Sequence, residues 1–93
     1  MERAMWILTQ ANRLINMDKI ESIDLASRRE NTAGTVAYEL VARTAGVGVG
    51  TPHLLARLET EGPGQQLIEE LKQAIVSNTA LYDIPAALSK MNG

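Results

Sequence analysis

Residues 61–77, EGPGQQLIEELKQAIVS, decide how the rest of the chain is read. Leu67, Ile68, Leu71, Ala74 and Ile75 recur at i, i+1, i+4, i+7 and i+8, one stripe of a 3.6-residue helix. Gln65, Gln66, Glu69, Glu70, Lys72 and Gln73 fill the other side. A helix that is polar on one face must cover something with the other. The residues before it alternate as strands do, so a sheet is what it covers.

The ends of this helix carry their own signals. Thr60 is placed as the N-cap, and Glu61 sits near the positive end of the helix dipole. Pro63 is compatible with a first turn, where no intrahelical N–H partner is needed. Gly62 and Gly64 weaken that turn, so the helix is expected to start a residue or two later. Asn78 suits a left-handed stop.

Working outward toward the N-terminus, residues 5–9 (MWILT) and 14–16 (LIN) read as short strands joined by a turn at 10–13 with Asn12 near its tip. Residues 17–19 form a second bend or a bulge. The next strand covers 20–26, with Ile23 and Leu25 on one face and Ser22 and Asp24 on the other; 27–34 (SRRENTAG) is a loop. Residues 36–43 alternate most clearly, with Val36, Tyr38, Leu40 and Ala42 on one side. After the Gly-rich turn 44–52, residues 53–59 return with Leu54, Ala56 and Leu58 on one face and Leu55 as the exception. The reading is an α+β fold: a small antiparallel meander of about five strands packed by one C-terminal amphipathic helix. Residues 1–4 are an N-terminal extension, 5–78 the single domain, and 79–93 an apolar tail.

Met5-Trp6-Ile7-Leu8-Thr9, the Leu14-Ile15-Asn16 strand, Leu58-Glu59-Thr60-Glu61 and Leu67-Ile68-Glu69-Glu70-Leu71 together resemble a group of small bacterial and phage-encoded proteins. Members of that group begin Met-Trp-Ile-x-Thr/Ser and close with a Leu/Ile-Glu-Glu-Ile helix. The likeness spans roughly residues 5–77 and rests on structural positions. It implies the meander-plus-helix fold and a dispensable 1–4 segment, and it carries over no activity and no catalytic residue. The chain departs from the pattern at Gly62-Pro63-Gly64 and in the TAGVGVGTP turn.

Composition excludes more than it includes. The formal net charge is −2 and the charges are interleaved, which argues against nucleic-acid binding, since that needs a concentrated basic face. There is no cysteine, so disulfides and thiol chemistry are excluded. No apolar run approaches the ~20 residues that span a bilayer. Without a secretory pattern at the start, the expected compartment is the cytoplasm.

No local motif calls for a cofactor or a metal. Gly46-Val47-Gly48-Val49-Gly50 leads into a strand rather than a helix and has no following lysine, so it reads as a hairpin and not a phosphate cradle. His53 is the only histidine and starts a strand, where a solvated role is expected. Asp18, Glu21 and Asp24 lack calcium-loop spacing and read as a solvated face.

Two features point instead to contacts between proteins. Trp6 is either a core anchor or an interface residue. The tail brings Leu81, Tyr82, Ile84 and Leu88 past the minimal sheet-plus-helix unit, to fold back on its own sheet or to pack on a second copy. Trp6, Leu81, Tyr82, Ile84 and Leu88 are therefore the candidate interface. The expected function is a non-enzymatic interaction or accessory module that self-associates, with a homodimer favoured. The alternative is a small enzyme or ligand-binding domain, with a pocket where His53, Arg43 or Arg57 meets carboxylates.

Overall fold

The computed structural model describes residues 5–29, 36–44 and 52–92. The chain runs β1 (Trp6–Leu8), β2 (Leu14–Asn16), a 3-10 turn (Met17–Lys19), β3 (Ile20–Arg29), β4 (Val36–Thr44) and β5 (Pro52–Leu58). It continues as α1 (Glu61–Val76), β6 (Leu81–Asp83) and α2 (Ile84–Asn92). The fold is α+β, and among the described residues it has six strands rather than five and two helices rather than one. The strands form two three-stranded sheets, β2-β1-β6 and β3-β4-β5, instead of one meander. The large sheet is antiparallel throughout, whereas β1 pairs β2 antiparallel and β6 parallel.

The first hairpin turns where the sequence places it. Asn12 adopts φ 66, and the Thr9 hydroxyl accepts the Arg13 N–H at 3.0 Å. The Thr9 N–H donates in turn to the Arg13 carbonyl at 2.8 Å. Thr9 is 1% exposed, so this turn is held by a buried hydroxyl with its hydrogen bonds satisfied. In the 3-10 turn, Asn16 Oδ1 accepts the Asp18 N–H at 2.9 Å.

Helix α1 begins at Glu61, earlier than its glycines suggest. Thr60 is extended, as an N-cap must be, but its side chain caps nothing. Gln65 Nε2 donates to Glu61 Oε1 at 2.7 Å within the first turn. Gly64 is kept because the helix sits tight on the sheet: a Cβ there would lie 2.7 Å from Leu25 Cδ1 and 3.1 Å from Leu58 Cδ1. The helix ends in a Schellman motif. Thr79 N–H donates to the Ala74 carbonyl, Asn78 N–H to that of Ile75, and Asn78 takes φ 57.

The tail folds back on its own chain. Leu81, Tyr82 and Asp83 lie in register with Trp6, Ile7 and Leu8, and Trp6 N–H donates to the Ala80 carbonyl at 2.9 Å. Asp83 then caps α2, its Oδ1 accepting the Ala86 N–H at 3.0 Å. Pro85 lies in the first turn of this helix, where a proline is tolerated. Asp83-Ile84-Pro85 is thus a helix start within the stretch read as an apolar tail.

One core joins all these elements. Met5 and Ile7 meet Leu40, Ala42, Leu55, Ala56 and Leu58 of the large sheet, Leu67, Leu71 and Ala74 of α1, and Ile84 and Ala87 of α2. The face assignment on β5 changes at a bulge. Leu40 pairs Ala56 but Val41 pairs Leu54, so Leu55 is the inserted residue. Leu55 is 0% exposed and Leu54 49%, the reverse of the alternation read from the sequence. Residues 27–29, read as the start of a loop, instead extend β3 by pairing with Tyr38, Ala37 and Val36, while residues 30–34 and the glycines of the 44–52 turn lie outside the described residues.

Candidate functional site

The candidate interface residues do not form one patch. Trp6 and Leu81 are register partners on the outer side of the small sheet, 40% and 48% exposed. Leu8 and Leu14 pair on that same face, and Leu14 is 60% exposed. Tyr82 is the next residue along β6 and so points the opposite way. Its hydroxyl oxygen is buried without a hydrogen-bond partner among the described residues. Burial, with a smaller contribution from the negative charge of Glu70, pushes its pKa up to about 12. Ile84 is wholly inside the core, so it is a packing residue and not a surface one. Leu88 packs half-buried against the same core.

The titratable residues singled out in the sequence stay apart. Among the described residues, no three His, Asp or Glu side chains gather as a metal site would require. His53 is half-buried on β5 opposite Ala42. Arg57 and Glu59 line a pocket of about 260 Å³ with Gln10, Thr60, Pro63 and Leu88. There Arg57, one of the cations considered in the sequence, shares a concavity with a carboxylate. No helix of the described residues is long and apolar enough to cross a membrane.

Which strand carries the long edge of the large sheet is not legible from local sequence. β3 pairs β4 on one side, and among the described residues no strand lies on its other side. β5, at the far edge, is engaged by Gln10, whose N–H donates to the Leu55 carbonyl and whose Oε1 accepts the Arg57 N–H, both at 2.8 Å. Among the described residues, then, the β3 edge along Ile20–Arg29 has no strand paired to it.

Side chains on β3 divide by face. Ile23 and Leu25 are half-buried toward α1, while Asp24, Ala26 and Arg28 are exposed on the opposite face. Arg28 Nη1 lies 3.9 Å from Glu39 Oε1 across to β4, a long contact that leaves the Arg28 side chain 72% exposed. A groove of about 350 Å³ borders the first half of the strand. Met17, Ile20 and Ile23 line one wall, and Ile68, Leu71 and Ile75 of α1 line the other. Beside it, Ile75 and Val76 end the helix 54% and 82% exposed. The arrangement offers unpaired backbone groups, a charged outer face and an apolar flank, which suits binding a polypeptide strand.

No family model, no curated protein and no solved structure matches this chain.

Proposed function

We propose that this chain is a non-enzymatic interaction module that self-associates and serves as a small accessory protein. The observation that carries this reading is the β3 edge, unpaired among the described residues and running beside an apolar groove. An uncovered edge of this length is a template for another strand. A domain this small also gains from the burial that a second copy supplies. Light-scattering chromatography of the full chain tests it. The expected mass is twice the monomer mass of 10.1 kDa, falling toward one copy on dilution. A single-copy mass at every concentration would remove the self-association.

A second reading, a small ligand-binding domain, is favoured by the pocket in which Arg57 and Glu59 face Thr60 and Gln10 between sheet and helix. Its signature is a saturable rise in melting temperature with a small anionic ligand, lost on Arg57→Ala.

A further inference from the structure

We infer that the occupant of the β3 edge is a second copy of β3 itself, paired antiparallel about a two-fold axis at Ala26, so that two sheets of three strands become one of six. This rests on the self-association proposed above and names the surface that performs it.

The inference comes from the order of charges along the strand. A two-fold axis between antiparallel edge strands stands perpendicular to the sheet and keeps each face on its own side. Residues of the exposed face therefore meet residues of the same face. With the axis at Ala26, Asp24 of one copy lies opposite Arg28 of the other, and symmetry repeats the pair. Cβ atoms of directly opposed residues are ~4.5–5.5 Å apart, within reach of an Asp–Arg contact. Both side chains are exposed, and the 3.9 Å contact from Arg28 to Glu39 leaves Arg28 mostly in solvent. Between the two pairs stands Ala26, small enough to bring the strands together without a clash.

Neighbouring registers are worse for this face. An axis at Asp24 would set the two Asp24 carboxylates against each other, and an axis at Ile23 would put Asp24 opposite Ser22 and carry Arg28 past the start of the other β3, level with its 3-10 turn rather than with a strand residue. The two-fold also places both α1 helices on one face of the joined sheet, since each covers the Leu25 side of its own β3. Charges on an edge strand normally discourage pairing. Here the acidic position precedes the basic one on the same face, so antiparallel self-pairing matches them.

The test is charge exchange on the full chain, with circular dichroism and a thermal melt confirming that each variant folds. Both positions are exposed, so the fold is expected to survive. Asp24→Arg alone should weaken the dimer by about tenfold or more, because two opposite-charge pairs become like-charge pairs. Arg28→Asp alone should do the same, and the double exchange D24R/R28D should restore the wild-type mass profile. Added salt should weaken the wild-type dimer. A wild-type chain that stays single-copy sinks both the self-association and this interface. A dimer indifferent to Asp24→Arg and Arg28→Asp overturns the β3 pairing alone. In that case a concentration-dependent blue shift of Trp6, the sole tryptophan, would put the contact on the small sheet.

Discussion

Gln10 donates its backbone N–H to the carbonyl of Leu55 at 2.8 Å, and through this bond the hairpin of the small sheet grips the bulge of the large one. The bulge sends Leu55 inward and leaves backbone groups of β5 turned away from β4. Gln10 takes up two of them, because its side-chain oxygen also accepts the Arg57 N–H. One exposed glutamine thereby joins two sheets that have no strand in common.

The two adjacent leucines should respond very differently to truncation. Leu55→Ala removes a fully buried side chain and should cost ~2–5 kcal/mol, while Leu54→Ala should stay within ~0.5 kcal/mol. Gln10→Ala keeps the backbone bond, loses the bond to Arg57, and should cost ~1 kcal/mol. Urea midpoints of the three variants check the bulge. Equal losses at 54 and 55 would refute it.

Glycines two residues apart in α1 should differ in sign. Nothing lies within 4 Å of a Cβ at Gly62, so Gly62→Ala should gain ~0.5–1 kcal/mol from helix propensity. At Gly64 the new Cβ would press on Leu25 and Leu58, and Gly64→Ala should forfeit that gain and destabilise. Thermal melts of both variants give the comparison directly.

Tyr82→Phe should be neutral or stabilising, since it removes a buried hydroxyl that has no partner among the described residues. It should also flatten the alkaline limb of stability. Tyr82 titrates at about 12 in the folded chain because of burial first and Glu70 second, against about 10 for an unfolded tyrosine. Below pH ~10 the hydroxyl is protonated in both states, and its contribution is fully present. As pH rises from ~10 to ~12, the unfolded chain ionises first and stability falls. Urea unfolding of wild type and Tyr82→Phe on either side of pH ~10 should show this fall in wild type and a smaller one in the variant.

Local signals account for what the sequence reveals. The α1 stripe, the Asn12 turn and the Asn78 stop each depend on residues a few positions apart, and all three are where the pattern puts them. Long-range pairing accounts for what it conceals. Nothing near Leu81 says that it will lie parallel to Trp6, so the sixth strand and the split into two sheets are invisible locally. Leu54 and Leu55 are chemically identical, and only the register with Val41 and Leu40 decides which turns inward. The proposed contact on β3 was hidden for a similar reason, because which strand lies at an edge depends on strand order. Strand alternation did hold one overlooked clue: Leu81 and Tyr82 are consecutive and so could not both face a partner.

Amide hydrogen exchange along β3, read on the full chain at low and high protein concentration, tests the central claim most directly. Pairing of two β3 edges predicts that the outward-pointing amides around Ala26 slow on concentration, while those of β6 keep their rates. Exchange along β3 that is the same at both concentrations would contradict it.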